Sequence, residues 1–60
     1  MDNFYEELEK RAQKIPDEKL RQETIRKIRA LKEVEKMQDV GTFMGLVIQI
    51  EEALSTIPKC

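Results

Sequence analysis

Apolar residues recur along this chain at steps of three and four, the spacing of one face of a helix, and two breaks divide the pattern into three stretches. In the first stretch Phe4, Leu8, Ala12 and Ile15 form a helical stripe. Asp2 or Asn3 serves as its cap, and Glu6 or Glu7 stands in its first turn. Glu6 with Lys10 and Glu7 with Arg11 make favourable i,i+4 pairs on the exposed side. The first break is Ile15-Pro16-Asp17-Glu18. Proline disfavours helix at the residue before it and suits the start of a new one, and the two acids complement that helix's positive end.

The second stretch is the longest. Leu20, Thr24, Ile28, Leu31 and Val34 share about a third of the circumference at ~100° per residue. Ile25, Ile28, Leu31, Val34 and Met37 form a steeper row at steps of three that winds around the helix. This helix is the expected spine. The second break, Gln38-Asp39-Val40-Gly41-Thr42, offers Gly41 as a helix stop and Thr42 as the next cap. The third stretch is of a different kind. Phe43, Leu46, Val47, Ile50, Leu54 and Ile57 make one stripe, while Met44 and Ile48 lie to the side of it, with Gly45 between them. A helix that is apolar on more than one face is buried on more than one side. Ser55-Thr56-Ile57-Pro58 closes the pattern. These signals predict an all-α chain, a single small domain over residues 1–60 with helices at roughly 3–14, 17–38 and 43–56, and no internal repeat.

Size changes the picture. A 60-residue domain buries only about 60% of the surface its unfolded chain exposes, so its own core is marginal. The chain has one cysteine and no histidine, which excludes an internal disulfide and a histidine-based structural zinc site. The expected remedy is a helical hairpin or three-helix arrangement completed by dimerisation into a bundle, or by a bound partner. Phe43, Met44, Leu46, Val47, Ile48, Ile50 and Leu54 are the candidate self-association or partner surface. Gly45 strengthens that expectation, because an interior glycine costs about 1 kcal/mol relative to alanine unless something compensates.

Charge is balanced overall at −1 but unevenly placed. Residues 19–36 are basic and both flanking stretches are acidic, so neighbouring helices attract weakly. Arg26, Lys27, Arg29 and Lys32 form a run without an acid between Thr24 and Glu33. Arg26, Arg29 and Lys32 are therefore candidate anion or nucleic-acid contacts. A pI near 5.4 and only Phe4, Tyr5 and Phe43 as aromatics favour a solvated face instead. On that reading the stem of Lys27 packs on the apolar stripe while its ammonium reaches Glu23. A helix-turn-helix around Gly41 fails on chemistry, since its second helix would offer Phe43, Met44, Leu46, Val47 and Ile48 to the bases.

Catalytic chemistry finds no constellation. The carboxylate pairs Glu6-Glu7 and Glu51-Glu52 point about 100° apart on a helix and read as solvated. Cys60, terminal and without a base beside it, reads as a bystander or a crosslinking handle. No cofactor and no metal site is expected. The acidic opening is no secretory signal, the run Val40–Ile50 is too short for a membrane span, and a lone thiol suits a reducing compartment. The expected protein is a cytoplasmic, non-catalytic regulator or inhibitor that binds a larger protein through an apolar helix face. Alternatives are a dimeric nucleic-acid-binding protein using the basic face of the second helix and a structural oligomeric building block.

Overall fold

A computed structural model of the chain describes residues 2–58, which form three packed α-helices: α1 (Asp2–Ala12), α2 (Glu18–Met37) and α3 (Val40–Leu54). The chain is all-α. Helix α2 is the spine and packs against both others. Its 20 residues, at ~1.5 Å each, account for most of the 36 Å long axis. Both neighbours run antiparallel to it: Arg29 meets Glu9 and, one turn on, Lys32 lies over Tyr5.

The first joint is built as the proline predicts, with one shift. Helix α1 tightens at its end, where the N–H groups of Lys14 and Ile15 donate to the carbonyls of Arg11 and Ala12. Asp17 is the cap of α2 and not part of its first turn. Its Oδ1 accepts from the N–H groups of Lys19 at 3.0 Å and Leu20 at 3.4 Å. The Arg21 guanidinium donates back to the Ile15 carbonyl at 3.2 Å, which ties the joint to the helix it opens. Helix α1 itself includes both Asp2 and Asn3, so neither is its cap, and the position before them lies outside the described residues.

The second joint departs from expectation. Helix α2 ends at Met37 and α3 begins at Val40, so Gly41 is not the stop and Thr42 is not the cap. Gln38 makes the stop in the left-handed region at φ 58°, ψ 28°, and Asp39 caps α3. Asp39 Oδ1 accepts from the Thr42 N–H at 3.2 Å, and Oδ2 accepts from the Thr42 hydroxyl at 2.8 Å. Aspartate is a stronger cap than threonine, and here Thr42 holds the cap in place. Helix α3 therefore gains a turn at its start.

The core joins Tyr5, Leu8, Ala12 and Ile15 with Ile28 and Leu31 of α2 and Ile50, Ala53 and Leu54 of α3. Thr24 is buried too, and its hydroxyl donates to the Leu20 carbonyl at 2.7 Å, so no polar atom is left unmet there. The inward row of α1 is Tyr5-Leu8-Ala12-Ile15, not Phe4-Leu8-Ala12-Ile15. Tyr5 is 4% exposed and Phe4 is 46% exposed, packed edge-on against the Tyr5 ring. The anticipated pairs Glu6–Lys10, Glu7–Arg11 and Glu23–Lys27 do not close. Among the described residues the ion pairs are Glu9–Arg29 at 3.5 Å and Glu33–Lys36 at 3.7 Å. Long exposed side chains gain little by holding one geometry, so intrahelical spacing alone does not select a pair.

Candidate functional site

The seven apolar residues singled out on α3 separate into three groups once the helices pack. Ile50 and Leu54 are sealed in the core, so they have no surface to offer a partner. Phe43, Leu46 and Val47 are half-buried against that core. Only Met44 and Ile48 face outward, at 51% and 55% exposure. Core packing takes one side of α3, and one spine helix cannot cover the other.

Two residues join them that periodicity within the third stretch did not supply. Val40 is 70% exposed and Met37 is 67% exposed. Since Asp39 caps α3, Val40 becomes its first residue and stands in register with Met44 and Ile48 at steps of four, one stripe along a helix. Recognising Asp39 as the cap would have revealed this stripe in the sequence. The antiparallel arrangement also brings the start of α1 to the end where α2 turns into α3. Phe4 thus belongs to the same end of the bundle. Every exposed large apolar side chain among the described residues lies at this end or runs from it down α3.

Gly45 sits within the outward face. A Cβ built there would meet nothing within 4 Å. Packing inside the chain therefore does not require a glycine at this position. A shallow groove of about 230 Å³ opens at the joint between α2 and α3, lined by Val34, Glu35, Gln38, Asp39, Val40 and Phe43. The bonds from Thr42 hold the Asp39 carboxyl below its ordinary value, so Asp39 is an anion at any neutral pH. Near Glu35 the buried hydroxyl of Tyr5 has no hydrogen-bond partner. Burial first, and then the nearby Glu35 carboxylate, raises its pKa above the ordinary 10.

The basic run does not assemble into one patch. Arg26 projects outward, whereas Arg29 turns to Glu9 on α1. The Lys32 ammonium stands 5.5 Å from the centre of the Tyr5 ring, a cation–π contact. Lys27 is half-buried in a second groove beside Leu20, Gln49, Glu52, Ala53 and Thr56. Successive residues on a helix are turned by about 100°, so four charges within seven positions spread around it. The carboxylates of Glu6, Glu7, Glu51 and Glu52 are all solvent-exposed. Among the described residues no three histidine, cysteine, aspartate or glutamate side chains converge on one point, and no helix is long and apolar enough to cross a membrane. Cys60 lies outside the described residues.

No family model, no characterised protein and no solved structure matches this chain. Any functional reading therefore stands on the arrangement of these side chains.

Proposed function

We propose that this chain is a small, non-catalytic cytoplasmic regulator or inhibitor that binds a larger protein through the outward apolar edge of α3 and the adjoining joint. One observation carries the reading: Val40, Met44 and Ile48, all exposed, stand at steps of four and form one stripe along α3. Scattered single apolar residues on a surface need no explanation, whereas a contiguous set marks an interaction site. The stripe has the i, i+4, i+8 form of a helix that lies in an apolar groove. Nucleic-acid binding through α2 draws less support, because Arg29 and Lys32 are engaged with α1 and Lys27 is turned towards α3.

The experiment compares the chain with its Val40→Glu and Met44→Glu variants as bait in source-cell lysate, after circular dichroism has shown each variant folded. A charge placed in a well-packed interface costs several kcal/mol. The expected result is a protein retained by the unmodified chain and lost from both variants. Retention by all three baits, or by none, would sink the reading.

A homodimer, or an oligomeric building block in which each copy covers the other's α3, is the second reading of the surplus stripe. Sedimentation equilibrium with circular dichroism across a dilution series separates these readings. A dimer on which folding depends loses helicity on dilution, because its stability depends on protomer concentration. A chain that stays monomeric and helical throughout removes the dimer and leaves the regulator.

A further inference from the structure

The groove at the joint between α2 and α3 has an apolar floor and an acidic rim. Val34, Val40 and Phe43 make the floor, and Glu35 and Asp39 carry the charge. At about 230 Å³ it is smaller than the ~300–1,000 Å³ of small-molecule and cofactor sites, and suits one long side chain. The neighbouring cations are engaged elsewhere: Lys36 pairs with Glu33, and Lys32 lies over Tyr5. Among the described residues no basic group comes within 4 Å of either rim carboxylate. Asp39 keeps acceptor capacity, because each of its oxygens takes one bond from Thr42 and a carboxylate oxygen accepts two.

An apolar floor with an anionic rim is matched by a side chain with a methylene stem and a cationic head. Resting on the reading that this end binds a protein, we propose that the partner anchors in the groove with an arginine or lysine carried on an amphipathic helix. The stem of that residue lies on Val34, Val40 and Phe43, and its charge meets Glu35 and Asp39. The partner's apolar neighbours on the same helix face cover Met44 and Ile48. A second copy is the poorer match. Helix α3 contains no lysine or arginine. Antiparallel pairing of two α3 helices sets Glu51 and Glu52 towards the partner end that holds Asp39, and parallel pairing sets them against their own equivalents. The exposed flank of α2 around Arg26 carries Gln22, Ala30 and Glu33, which is no apolar stripe.

The test titrates the isotope-labelled full chain with three synthetic peptides. The first is an amphipathic helix of leucine and lysine. The second carries glutamate in place of lysine, and the third has the first composition in a shuffled, non-amphipathic order. The expected result is that the leucine–lysine helix binds, shifts amide signals within residues 34–48, and exceeds the other two by about tenfold in affinity, the scale of a charge-assisted contact. Glu35→Gln combined with Asp39→Asn weakens binding by about the same factor, and the asparagine preserves the helix cap. Glu6→Gln combined with Glu7→Gln, which removes the same charge from α1, changes nothing. Absence of binding, equal binding of the glutamate peptide, shifts centred outside the joint, or indifference to the Glu35/Asp39 pair overturns the proposal. The broader reading fails separately. Lysate capture that is lost in Val40→Glu but indifferent to the Glu35/Asp39 pair removes only the cationic anchor, whereas capture indifferent to Val40→Glu removes both.

Discussion

The two ends of this bundle use the same device, a short joint with an aspartate cap, to opposite effect. At the first joint Ile15 is 1% exposed and Arg21 reaches back to its carbonyl, so the turn is drawn into the core. At the second joint the residues on either side of the cap, Met37 and Val40, face solvent. One turn adds stability, and the other leaves apolar surface outside. In a chain with so little core, apolar side chains left in water forgo stabilisation that burial would supply. That contrast makes the second joint, rather than any charged cluster, the region to interrogate.

The largest effect expected from the contrast is in the core. Ile15→Ala or Ile28→Ala removes a fully buried branched side chain and lowers stability by about 2–5 kcal/mol. Met37→Ala at the other joint, by comparison, stays within about 0.5 kcal/mol, as surface substitutions do. Denaturant unfolding followed by circular dichroism reads both. Comparable losses at the two sites would mean that Met37 is covered in solution, and the contrast would fail.

The caps come next. Asp17→Ala and Asp39→Ala each cost about 1 kcal/mol, the usual worth of an N-cap. Their pH dependence distinguishes them further. The folded pKa of Asp39 lies below its ordinary 3.8 because of Thr42. Its contribution is therefore complete above the unfolded value and is lost as pH falls through the folded one. Asp39→Asn keeps the cap and abolishes that acid-side loss. An unfolding curve with the same slope below pH ~4 in both proteins would contradict the assignment.

The second joint is the part of the fold least legible in the sequence. The helical periods gave α2 and its buried row Thr24-Ile28-Leu31-Val34 directly, because packing rewards that row on a helix with neighbours on two sides. Glycine is the customary helix stop, so Gly41 draws the boundary three residues too late. The stop is Gln38, in the left-handed region, and the cap that follows it is Asp39, held by Thr42. Apolar periodicity does not report a polar cap, even one as local as Asp39 and Thr42, three residues apart. The same limit misassigned Phe4 and Tyr5. Adjacent residues on α1 both fit the inward stripe, and only the position of α2, with Lys32 above the ring, selects Tyr5. On the candidate surface, Met44 and Ile48 were readable as a second face. Ile50 and Leu54 were not separable from it until the core was assembled.

Gln38 supplies the next test. A non-glycine residue in the left-handed region is strained by about 1 kcal/mol, which glycine avoids. Gln38→Gly is expected to raise stability by up to that amount without moving the joint. A destabilised variant would show that the Gln38 side chain, which lines the groove, contributes more to the turn than its backbone costs. Tyr5→Phe follows at a similar or smaller size. It removes a buried hydroxyl with no partner, so the variant is neutral or more stable by under about 1 kcal/mol. Because burial raises the folded pKa of Tyr5 above the unfolded 10, its contribution to stability is present below pH ~10 and is lost as pH climbs through the folded value. The difference between the two proteins should therefore widen in favour of Tyr5→Phe on the alkaline limb. A parallel course would show the phenol to be solvated.

The smallest effect belongs to the one ion pair among the described residues that crosses between helices. Arg29 and Glu9 approach to 3.5 Å, but their side chains are 71% and 32% exposed, and water screens the contact. A double-mutant cycle with Glu9→Gln and Arg29→Gln should give a coupling of about 0.5 kcal/mol or less, and less again in high salt. The cycle bears on function as well as stability. If Arg29 is simply a solvated residue with a weak partner, both single variants keep the capture proposed for the α2–α3 joint. A coupling well above 1 kcal/mol would mean that α1 is held to α2 by charge as much as by Tyr5, Leu8 and Ile15. A loss of capture in Arg29→Gln with folding intact would move the functional surface from the apolar joint to the basic flank of α2.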